Sequence, residues 1–83
     1  MVAESTPKER LASAFRNALQ LPTETDVTKL HYRMHEKWDS VAHLKLVAEL
    51  EHVFDVMLDA DEILAMSSYD KAVEILQTKD VAF

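Results

Sequence analysis

The sequence predicts an all-α fold, a small four-helix bundle with three longer helices and one short one. Three observations lead there. Apolar residues recur at helical spacing in three separate stretches. Capping signatures stand just ahead of those stretches. Alternation of the strand kind persists nowhere, and no Asn-Gly hairpin turn occurs.

Thr6-Pro7-Lys8-Glu9 starts the first helix, with Thr6 as N-cap, Pro7 at the first helical position and Glu9 closing a capping box. Leu11, Phe15, Ala18 and Leu19 then line one face. Pro22 ends the run, because the residue before a proline is pushed out of helical geometry. This helix is expected over about 7–20. Ahead of it, residues 1–5 are expected to fray.

Residues 21–38 form a long connection with scattered apolar anchors at Val27, Leu30, Tyr32, Met34 and Trp38. Connections this long pack on themselves or serve function, and a short helical turn near 26–32 fits the pattern. His31 and His35 are four apart in this connection and have no third metal ligand fixed beside them.

The second helix is expected over 40–54, with Asp39 as its N-cap. Leu46, Leu50, Val53 and Phe54 form its stripe and Val47 widens it. Val41 and Leu44 are offset from that stripe, at the end that begins with Ser40. His43 is placed at the surface or rim. Asp59 and Glu62 make another capping box for a short helix near 60–66. Tyr69, Ala72, Val73 and Leu76 stripe the last helix, about 68–77, and Val81 and Phe83 can pack back on it. Met34, Met57 and Met66 are taken as gap-fillers of the core or its rim.

The chain of 83 residues makes one domain over 1–83, with its core over about 6–77. Stability on the usual per-residue scale is roughly 4–12 kcal/mol. The sequence has no cysteine, which excludes disulfides, thiolate metal sites and a catalytic thiol of its own. It has no apolar run of membrane-spanning length and no basic-then-apolar leader at its start, so no membrane insertion and a cytoplasmic location are expected. There is also no glycine-rich phosphate loop.

The net charge of −6 is concentrated. Between Asp39 and Glu62 the acids are Asp39, Glu49, Glu51, Asp55, Asp59, Asp61 and Glu62, against Lys45 alone, while the rest of the chain balances. Such a field repels nucleic acid and attracts basic protein surfaces.

Asp39-Ser40 brings chemistry into view. Ser40 takes the first position of a helix, where free backbone N–H groups and the helix dipole favour an anion such as a phosphate ester. Asp39-Ser40-Val41, followed by Leu44, Leu46-Val47, Leu50-Glu51 and Phe54, resembles the Asp-Ser-Leu motif and second helix of an acyl carrier protein. Asp61-Glu62-Ile63 and Ser67-Ser68-Tyr69-Asp70-Lys71-Ala72 keep step with that family's third and fourth helices, so the likeness runs from about Trp38 to Leu76.

The resemblance implies an acyl-carrier-like bundle with a long loop between its first two helices. It implies a carrier rather than an enzyme, with 4′-phosphopantetheine from coenzyme A attached covalently to Ser40. Acyl intermediates would be held on that arm as thioesters. Asp39 would cap the helix and be recognised by a phosphopantetheinyl transferase. Val41, Leu44, Lys45, Glu49, Glu51, Asp61 and Glu62 would meet partner enzymes, acyl-transferring or condensing, with basic docking surfaces. The carrier would act as a monomer.

Three departures from the family pattern stand out. Val41 replaces the usual Leu or Met, Ala42 and Lys45 occupy a face where acids are common, and Trp38 is a large neighbour for an attachment site. They fit a dedicated carrier for a specialised lipid, polyketide or related pathway. An aminoacyl or peptidyl carrier, and a helical interaction module lacking the prosthetic group, are the alternatives.

Overall fold

A computed structural model describes residues 6–83. The frayed end expected over residues 1–5 lies outside the described residues. The chain order is α1 (Pro7–Leu19), a 3₁₀ turn (Val27–Lys29), α2 (Ser40–Phe54), α3 (Ala60–Ala65) and α4 (Tyr69–Thr78). Among the described residues no strand forms; one isolated antiparallel bridge joins His31 to Ser68. No helix among them is long and apolar enough to cross a membrane.

Each helix starts on a side chain that takes up an otherwise unpaired N–H. Thr6 and Glu9 form the reciprocal box of α1, and Asp59 and Glu62 that of α3. Asp39 accepts from the Ala42 amide at 2.9 Å, and Ser68 from the Lys71 amide at 3.2 Å. The helix ends are less conventional, because the chain has no glycine. Gln20 (φ 57°) and Asp55 (φ 54°) take the left-handed cap conformation that glycine usually supplies.

The core is one cluster. Leu11, Ala14, Phe15 and Leu19 of α1 face Leu46, Val47, Leu50 and Phe54 of α2, with Tyr69, Ala72 and Leu76 of α4 completing it. Phe15 sits at its centre, edge-on to Trp38 at 5.3 Å and tilted against Tyr69 at 5.7 Å between ring centroids. The long connection lies across the bundle and buries Val27, Leu30 and Trp38. Its first part is tied to α1 by Arg16, whose guanidinium donates twice to the Thr25 carbonyl. Phe83 packs back on Phe54, with ring centroids 6.2 Å apart.

Three expectations are corrected. Met34 and Met57 do not fill the core: they are more than four-fifths exposed, and only Met66 is buried. Ala42 lies buried rather than on the exposed face of α2. His43 is buried as well, because it falls in line with Leu46, Val47, Leu50 and Phe54 at spacings of three, four, seven and eleven.

Candidate functional site

The turn from Trp38 to Leu44 is built by two opposed demands. Trp38 is wholly buried, so the chain enters α2 from the core. Asp39 then leaves it in extended geometry (φ −96°, ψ −173°), and its carbonyl accepts the His43 amide at 2.8 Å while its carboxylate takes the Ala42 amide. Ser40 therefore begins the helix at the surface, with its side chain exposed. The cap fixes the backbone on either side of that hydroxyl.

Ser40 and Leu44 follow each other along one row of α2, and Val41, Lys45 and Glu49 along the next. Val41 and Leu44 are 62% and 63% exposed, unusually open for branched apolar side chains. Lys45 is exposed and Glu49 half-buried. An open groove of about 220 Å³ lies beside this turn, lined by the end of α1, by Glu36 and Lys37, and by Asp39, Val41, Ala42 and Lys45. Ser40 itself is not in its lining.

The acids divide into two groups. Asp61 is exposed. Glu51 and Glu62 are engaged inside the fold: Glu51 accepts from the Leu58 amide at 2.9 Å, and Glu62 meets the Lys79 ammonium at 2.8 Å. The Lys79 contact, with help from the Asp59 amide, holds the Glu62 carboxyl below the usual carboxylate range. The acidic stretch is thus partly a set of tethers around α3.

His43 is the residue that sequence reasoning missed. Its Nδ1 lies 3.0 Å from the Trp38 indole nitrogen and its Nε2 2.8 Å from the Ile63 carbonyl oxygen. Tyr32 packs against the ring, with centroids 4.7 Å apart. The helical spacing to Leu46, Val47 and Leu50 could have revealed its burial. So could the need of a buried indole N–H for an acceptor.

His31 and His35 do not converge on a ligand. His35 Nδ1 accepts from the Lys37 amide at 3.1 Å, while His31 is exposed and only its backbone bridges to Ser68. Among the described residues no three His, Cys, Asp or Glu side chains stand close enough to hold a metal ion.

No protein-family model, curated protein or solved structure matches the chain.

Proposed function

We propose that the chain is a carrier protein that bears 4′-phosphopantetheine on Ser40. The observation that carries this reading is the placement of Ser40: an exposed hydroxyl at the first position of a fifteen-residue helix, held there by the Asp39 cap. The residues fit the group. The hydroxyl is free of core packing, and the helix N-terminus favours the negative phosphodiester that attachment creates.

In the attachment step a transferase directs the Ser40 oxygen onto the β-phosphate of coenzyme A. The serine O–P bond forms as the pyrophosphate link breaks. Adenosine 3′,5′-bisphosphate departs, and the serine proton passes to the transferase or to solvent. Ser40 is a substrate group here, which suits a site with no general base of its own. His43 cannot be that base, since its two ring nitrogens are both engaged internally.

The attached arm supplies a thiol that holds acyl groups as thioesters. This chain contributes presentation. Val41 and Leu44 offer an apolar contact beside the attachment point, and Asp61 with Glu49 supplies negative charge toward basic partner surfaces. Tethering raises the effective concentration of the cargo at each partner. The departures at the exposed Val41 and Lys45 favour a dedicated partner set, as in a specialised lipid, polyketide or related pathway.

Intact mass after incubation with coenzyme A and broad-range phosphopantetheinyl transferases tests the reading. A gain of one phosphopantetheine, absent in Ser40→Ala, is expected. No gain with any of several transferases overturns it and leaves the interaction module.

A further inference from the structure

We propose that His43 is a proton-sensitive latch that ties both the long connection and α3 to the first turns of α2. This goes beyond the carrier reading and stands whether or not Ser40 is modified.

The protonation pattern of the ring follows from its partners. An indole N–H can only donate, so Nδ1 of His43 must accept from Trp38 at 3.0 Å. The ring proton then sits on Nε2, which donates to the Ile63 carbonyl at 2.8 Å. One neutral tautomer satisfies both contacts, and the other satisfies neither. Ile63 lies in the last turn of α3, where its carbonyl otherwise takes only a long bond of 3.4 Å from the Met66 amide, so His43 adds a second cap to that helix.

The latch matters because α3 has few other holds. It is six residues long and none of them is fully buried. Its remaining ties are the half-buried Ile63 side chain, the Glu62–Lys79 ion pair and the buried Leu58 and Met66 that flank it. On the other side of the ring, Trp38 is the residue that brings the chain to Asp39 and Ser40.

A second ring proton would sit on Nδ1 and face the Trp38 N–H. The acceptor is then lost, and a cation is left among aromatic rings. The Ile63 carbonyl and the Tyr32 ring relieve that charge only in part, and neither restores the acceptor that the Trp38 N–H loses. From the connection the cation meets Tyr32, whose ring already carries the Arg33 guanidinium 5.9 Å from its centroid. On α2 the Asp39 carboxylate is committed to the Ala42 amide. From α3 it meets the Ile63 carbonyl; Glu62 is paired with Lys79, and Asp61 faces solvent. Protonation therefore expels the ring, and Trp38 and α3 loosen together.

Trp38 is the sole tryptophan, which makes the latch observable in the full chain. Acidification from about pH 8 to the onset of global unfolding should change Trp38 emission in one sigmoidal step that precedes unfolding. Over the same step, amide exchange at residues 63–65 should rise about tenfold, the equivalent of one lost hydrogen bond. His43→Gln supplies an acceptor and a donor without a titrating group, and its profile should be flat although His31, His35 and His52 remain. A pH-independent Trp38 signal in the parent, or the same step in His43→Gln, overturns the proposal. Should His43→Gln fail to fold, nitrogen NMR of the parent ring decides: a proton on Nδ1 at pH 8 overturns the latch, and one on Nε2 that gives way to both in step with Trp38 supports it.

Discussion

Glu51 reaches past the end of its own helix and accepts the backbone N–H of Leu58 at 2.9 Å, bridging the turn between α2 and α3. The turn begins at Asp55 in left-handed geometry, and Leu58 is buried at its far side. A carboxylate expected to face a partner also clasps an internal loop. Truncation would leave a part-buried amide unpaired, so Glu51→Ala should cost about 1–3 kcal/mol. Glu51→Gln, which keeps an acceptor, should recover most of that. Urea melts of both variants provide the comparison.

The two left-handed caps predict gains. Gln20 and Asp55 hold φ near 55°, where a side chain is penalised and glycine is not. Gln20→Gly and Asp55→Gly should each raise stability by up to about 1 kcal/mol, less the extra freedom glycine gives the unfolded chain. Asp55 gains less, since Asp tolerates this region better than Gln. Thermal melts showing both variants below the parent would contradict this.

Phe15 joins α1 to the connection and to α4 through Trp38 and Tyr69. Its side chain is fully buried at the middle of the cluster. Phe15→Ala should cost about 3–5 kcal/mol, a large share of what an 83-residue domain has. Circular dichroism should show partial unfolding at 37 °C, and a Tm lowered by only a few degrees would place the centre of the core elsewhere.

Local grammar explains what was legible in the sequence. The Thr6–Glu9 and Asp59–Glu62 boxes each need only four residues, and both form where the spacing puts them. The second helix runs over 40–54 as its stripe and the Asp39 cap require. The first and third helices each end one residue earlier than expected, and the last lies one residue further along at both ends. Contacts across the connection were not legible. Trp38 could be seen as apolar, but its pairing with His43 depends on a fold that no local pattern encodes. Met34 and Met57 carry the same hydropathy as Met66, and only their positions outside the cluster set them apart. The exposure of Ser40 follows from the cap; what modifies it does not.

Glu62 makes the stability of α3 depend on acid pH. Its carboxyl is held down by Lys79 and by the Asp59 amide. A carboxyl lowered in the folded state contributes stability that is present above its unfolded value and is lost as pH falls through its folded value. Below about pH 4.5, therefore, the α3 capping box and the tie to α4 should weaken. Glu62→Gln should flatten the fall in Tm between pH 5 and 3 while lowering Tm modestly at pH 7. An unchanged acid limb in that variant would assign the acid sensitivity to other groups.

Leu44 separates presentation from folding. It is exposed and lies one turn beyond Ser40 on the same row of α2. Removing an exposed side chain usually moves stability by less than about 0.5 kcal/mol, so Leu44→Gln should melt with the parent. As a carrier contact it should still matter. Loss of an apolar anchor worth about 1–2 kcal/mol would raise KM for transferase modification of Ser40 roughly 5- to 30-fold. If the anchor acts equally in ground and transition states, kcat should stay the same. An unaltered KM would mean that the apolar flank of Ser40 is not where the modifying enzyme docks.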